Sequence, residues 1–174
     1  MTQLIIPSGL VAHGNEQVLR ARFSDAEYFY AQDTQKSLED FKARLGTLTF
    51  HEKLGSMLDK NDRVASLVPS VGALLGVDAD TIAVAQRAAS FAKADLAAQM
   101  VVEMTSLQGT MGREYALLRG ESPAVADAIF EHWLPRGADD ILPASMAGAG
   151  GGGGGRAAPP PALFPPGGPP PLPP

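Results

Sequence analysis

Three histidines and no cysteine are all the soft-ligand chemistry this 174-residue chain offers. His51 opens the run His51-Glu52-Lys53-Leu54-Gly55, which invites comparison with a zinc-protease helix. That motif needs a second histidine four residues on, and Gly55 stands there instead. His13, His51 and His132 lie far apart, and each reads better as a surface or helix-end residue than as a metal ligand. Ser8 and Ser24 have no nucleophile-elbow context, and no phosphate-cradling glycine loop carries its lysine. Lys93 and Asp95 flank an apolar stripe. With no partner set for acid–base work nearby, they read as a buried-edge ion pair or a cap. The remaining chemistry is cationic: Arg20, Arg22, Lys53, Lys60 and Arg63 form the best candidate basic surface, weighed against an ordinary solvated helix face.

The net charge of −5 argues against general, charge-driven nucleic-acid binding and leaves only a local basic stripe open. Absence of cysteine removes disulfides and thiolate catalysis. The apolar runs fall far short of a bilayer span, and the N-terminus lacks the basic-then-apolar layout of a signal peptide, so the expectation is a soluble, intracellular chain without a membrane.

The elements that would position these residues are helical. Residues 1–14 read as an extended entry segment, with Asn15 as the N-cap of a long helix running to about Thr34. Ser37 starts a second helix bearing Phe41, Leu45, Leu48 and Phe50, with Gly46 as a possible interruption. A third spans Leu54 to Leu75, with a kink or boundary at Pro69. Gly76 is a stop, Asp78 or Asp80 the next cap, and the alanine-rich helix that follows is expected to reach Met104. Gly109 and Gly112 interrupt the pattern at some cost, which points to a tight turn or a close backbone contact. Gly120 stops a helix, Ser122-Pro123 starts the last, and Pro135 ends it. The fold class is therefore all-α, with a folded unit over residues 15–146.

Composition changes sharply after Met146. Residues 147–174 hold nine of the 19 glycines and ten of the 15 prolines, so this tail reads as flexible polyglycine followed by polyproline II.

Three stretches in order, IIPSGLVAHGNEQVLRARFSDAEYFY, FHEKLGSMLDKNDRV and KADLAAQMVVEMTSLQGTMGREYALLRGESPAVADAIFEHWLP, resemble the β subunit of the bacterial and plastid type of glycyl-tRNA synthetase. The resemblance runs from about Leu4 to Pro143. It implies the central helical region of β, similar to a degenerate HD domain. Phosphohydrolase chemistry is not implied, because the chain has no adjacent His-Asp and no histidine around Ala92-Lys93. It further implies tRNA-Gly and an α subunit as partners, in an α2β2 or fused assembly in the bacterial cytoplasm or in chloroplasts and mitochondria. ATP with Mg and glycine would bind at the α-subunit active site, and this segment alone would hold no cofactor, metal or catalytic residue. After Pro143 the family pattern is replaced by glycine and proline, so the chain reads as a partial β subunit whose tail is not family sequence. Arg20, Arg22, Lys53 and Arg113 become the candidate tRNA-backbone contacts by charge type. Two other readings stay open beside it: an HD-type metal phosphohydrolase, and a helical interaction module whose tail recruits SH3- or WW-like partners.

Overall fold

The structure, a computed structural model, describes residues 8–137 and 139–151. Helix α1 (Ser8–Asp33) is followed by α2 (Leu38–Arg44), a 3-10 turn (Leu45–Thr47), the antiparallel strands β1 (Thr49–His51) and β2 (Gly55–Ser56), and α3 (Met57–Leu74). Next come α4 (Ala79–Phe91), a 3-10 turn (Ala94–Ala97), α5 (Gln99–Glu103), a 3-10 turn (Thr105–Leu107), α6 (Thr110–Leu118), α7 (Pro123–Glu131) and α8 (Met146–Gly151). The class is all-α, as expected, although a two-residue-to-three-residue hairpin sits where Phe50 was expected on a helix.

Local signals set most of the boundaries. Ser37 and Asp40 form a reciprocal capping box on α2, in which the Ser37 N–H donates to Asp40 Oδ2 at 2.9 Å and the Asp40 N–H donates to Ser37 Oγ at 3.1 Å. Ser56 and Asp59 repeat the device on α3. Asp78 caps α4, and Ser122 with Pro123 at the first helical position opens α7. Gly76 and Gly120 take left-handed conformations, φ 68° and 83°, just past α3 and α6, where a side chain would be strained.

Three boundaries differ from the expectation, and of the kink or boundary expected at Pro69 the boundary does not occur. Helix α1 already runs from Ser8, so residues 8–14 are helical and Asn15 lies inside the helix. Helix α3 passes through Pro69 without ending, because its packing along α4, with Gly72 against the Ile82 side chain, offsets the hydrogen bond proline forfeits. The alanine-rich helix stops at Phe91 and not at Met104, for a tertiary reason described below. Helix α8 extends the packed part beyond Met146 through Gly151, and the rest of the tail, with its polyproline reading, lies outside the described residues.

Helix α4 is the hub, packing against α3, α7 and α8. Ala85, Ala88 and Ala89 face inward and let neighbours approach closely, while Phe41, Leu45, Val101, Ile129 and Tyr115 fill the remaining space. Glycine-rich α8 would not be helical on its own propensity. The Glu131 carboxylate accepts the N–H groups of Ala144 (3.2 Å) and Ser145 (3.1 Å) just ahead of it, and Ser145 Oγ accepts the Gly148 N–H at 2.9 Å. Ala147 is buried, so the small residues of α8 fit where larger ones would not.

Candidate functional site

Among the elements just described, a buried polar knot forms where α4 breaks. Asn61 of α3 donates its side-chain N–H to the Ala92 carbonyl, ending α4, and Lys93 adopts a left-handed conformation at φ 64°. That conformation costs a non-glycine residue about 1–2 kcal/mol, so tertiary contacts must hold it. Asp95, almost fully buried, accepts the Gly109 N–H at 2.5 Å at the start of α6. Burial raises its carboxyl above the usual range, opposed by the Gly109 hydrogen bond and the nearby Lys93 charge. The Lys93 ammonium sits 3.1 Å from the centroid of the Trp133 ring, a cation–π contact, and burial pushes its amine down to about 8. Of the two readings offered for Lys93 and Asp95, a buried-edge ion pair or a cap, no ion pair joins them among the described residues; Asp95 instead takes the Gly109 amide at the start of α6, and Lys93 faces Trp133.

Glycine is closely packed at two places in this knot. A Cβ on Gly109, whose φ is 79°, would lie 2.7 Å from Trp133 Cδ1. A Cβ on Gly112 would lie 3.1 Å from Ile129 Cγ2 and 3.2 Å from Asp95 Oδ2. Both glycines are thus packing residues, as the sequence suggested.

A second buried carboxylate was not singled out in the sequence. Asp33, at the C-terminal end of α1, is 1% exposed and accepts the Gln99 and Met100 N–H groups at 2.9 Å each and the Tyr115 hydroxyl at 3.1 Å. It is an N-cap for α5 supplied from another helix. One signal existed: an acidic residue at a helix C-terminus opposes the helix dipole and needs a reason to be there.

His132 ends α7 and is buried, with Nδ1 hydrogen-bonded to the Ile129 carbonyl; burial and the Lys93 charge push its ring down to about 3. His13 pairs with Gln17, and His51 Nδ1 accepts the Lys53 N–H at 3.1 Å in the hairpin turn. Among the described residues, no three His, Asp or Glu side chains come together as a metal would need. The cavity beside Asp95, lined by Phe41, Phe91 and Tyr115 among others, is about 10 Å³, room for one water and far too small for a nucleotide.

The four candidate tRNA contacts lie on three elements: α1, the hairpin turn and α6. Arg20 and Arg22 are both exposed on α1, but two residues apart they point about 200° from each other around the helix. Lys53 is exposed at the hairpin turn. Arg113, on α6, pairs at the surface with Asp127 at 2.6 Å and Glu114 at 2.9 Å. Lys60 lies 4.8 Å from the Phe50 ring centroid, and neither it, Lys53 nor Arg63 carries an ion pair among the described residues. No helix among the described residues is long and apolar enough to cross a membrane.

Residues 7–150 match the family model for the glycyl-tRNA synthetase beta subunit. The chain is 48% identical over 139 residues to the glycine–tRNA ligase beta subunit of Gloeothece citriformis, covering 80% of this chain and 19% of that protein. It is 47% identical over 143 residues to the beta subunit of Neisseria gonorrhoeae, covering 82% and 20%. To the chloroplastic/mitochondrial glycine–tRNA ligase 2 of Arabidopsis thaliana it is 45% identical over 143 residues, covering 82% and 13%. The chain thus spans about a fifth or less of the length of these relatives, and with nearly all of its described residues inside the match it belongs to the glycyl-tRNA synthetase β-subunit family.

Proposed function

We propose that this chain serves glycyl-tRNA synthesis as the central helical segment of a glycine–tRNA ligase β subunit, contributing to tRNA recognition and to assembly. The observation that carries the reading is the family match over residues 7–150, beside 45–48% identity over 139–143 residues to bacterial β subunits and to a chloroplastic/mitochondrial glycine–tRNA ligase. Aminoacyl chemistry, with ATP, Mg and glycine, belongs on this reading to an α subunit, and the segment alone charges no tRNA. The helical bundle with Lys93-Ala94-Asp95 at the α4 break is read as a degenerate HD-like fold. The same reading gives a location in the bacterial cytoplasm, or in a chloroplast or mitochondrion, supported by the bacterial and chloroplastic/mitochondrial relatives.

What the chain's own residues supply is structural and electrostatic. Asp33 and Asp95 fix α5 and α6 against α1 and α4, while Arg20 and Lys53 remain exposed for phosphate contacts. A direct test is a chimera in which residues 7–150 replace the matched segment of the Gloeothece β subunit. Combined with its α subunit, the chimera is expected to glycylate tRNA-Gly, and the 174-residue chain alone to give none. A chimera that folds and binds α yet leaves tRNA uncharged refutes the proposal, as does glycylation by the isolated chain.

A further inference from the structure

Every residue from Val11 to Asp25 on α1 is exposed, an arm of about 22 Å at 1.5 Å per residue. An unsupported helix of that length, with Gly14 inside it, is marginal in water, so something else should hold it. Its exposed side chains include large apolar ones: Val18 is 62%, Leu19 55% and Phe23 71% exposed. At 100° per residue, Val11, Val18, Leu19 and Phe23 fall on the same side of the helix as Ala26, Phe29 and Asp33. Those last three are the residues by which the C-terminal third of α1 packs on the core. The docking stripe therefore continues past the edge of the domain with none of the described residues against it. Arg22 lies in the middle of that stripe, where a covering surface would have to bring a carboxylate to it.

We infer that the free part of α1 is a docking strip for the remainder of a glycyl-tRNA synthetase β subunit, received by an apolar helical surface that presents a carboxylate to Arg22. The inference rests on the family assignment, since the relatives carry about four-fifths of their length outside this segment. Continuity with an interface inside the same domain favours a segment of the same subunit over a second copy. It also divides the two arginines: Arg22 faces the protein partner, and Arg20, on the far side of α1, stays free for RNA.

The test is amide hydrogen exchange of residues 12–25, measured in the 174-residue chain and in the β-subunit chimera. Protection is expected to rise at least about tenfold in the chimera. Phe23→Ser with Leu19→Ser should abolish that rise, while Gln17→Ala, on the opposite side, should not. Equal protection in both contexts overturns the inference. So does protection of the isolated chain that grows with its concentration and is lost in the Phe23→Ser variant, which would mean a second copy, or protection that appears only with tRNA. Glycylation is read separately, so an active chimera with an unprotected α1 overturns this inference alone, and a protected but inactive one overturns only the proposed function.

Discussion

Replacing Asp33 with alanine removes a carboxylate that satisfies three donors at once: the Gln99 and Met100 N–H groups at the start of α5 and the Tyr115 hydroxyl on α6. Asp33 is 1% exposed, so water does not readily take its place. Each donor left unpaired in a buried setting costs about 1 kcal/mol or more, giving about 3–5 kcal/mol for Asp33→Ala. For a domain of this size that is a fall in Tm of roughly 10 °C. Asp33→Asn keeps one acceptor oxygen and should lose about half as much. Asp25→Ala, on the exposed part of the same helix, is the control and should stay within about 0.5 kcal/mol. Urea unfolding followed by circular dichroism reads all three, and a double-mutant cycle with Tyr115→Phe isolates the hydroxyl, with a coupling of about 1 kcal/mol. A loss below about 1 kcal/mol for Asp33→Ala would show that α5 does not depend on a cap donated by α1, and the account of why the long helix breaks would fail with it.

Three further outcomes follow from the same geometry. Gly109→Ala should cost about 2–4 kcal/mol, combining a left-handed φ with a clash into Trp133, whereas Gly76→Ala, left-handed with open space around it, should cost only about 1 kcal/mol; equal losses in thermal melts would mean the Trp133 contact is unimportant. His132 stays neutral in the folded state down to about pH 3, so its contribution is complete above its unfolded value of 6.5 and is lost as the pH falls from 6.5 towards 3, by about 1.4 kcal/mol per pH unit. His132→Leu should remove that slope relative to the parent chain, leaving the acid sensitivity of the capping carboxylates Asp40, Asp59 and Asp78, which their hydrogen bonds hold below the usual range; parallel pH profiles would contradict the burial argument. In the β-subunit chimera, Arg20→Ala with Lys53→Ala should weaken tRNA-Gly binding and flatten its logarithmic salt dependence by about one to two, while Arg113→Ala, already paired with Asp127 and Glu114, should do less; the reverse ranking in filter-binding titrations would reassign the RNA face.

The boundaries legible in the sequence are those whose hydrogen bonds close within three or four residues. Ser37 with Asp40, Asp78 with Thr81, and the left-handed glycines Gly76 and Gly120 are each fixed by neighbours along the chain, so residue type and spacing alone located them, whereas the equally local Ser56–Asp59 cap was missed because the helix was expected to begin at Leu54. The all-α class and the family followed from the same local record, extended over the length of the match. Other features depended on partners from elsewhere. The stretch from Ala92 to Met104 contains neither glycine nor proline and reads as a continuation of the alanine-rich helix, yet Asn61, 31 residues away, takes the Ala92 carbonyl, and Asp33, 66 residues away, takes the first amide of α5. A glycine-rich stretch became α8 because Glu131 meets the chain just ahead of it. The pairing of Arg113 on α6 with Asp127 on α7 likewise depended on how the two helices pack. Local propensity differences are a few tenths of a kcal/mol per residue, whereas satisfying or stranding a buried carboxylate or amide is worth about 1–3 kcal/mol, so wherever the two disagreed the tertiary partner prevailed.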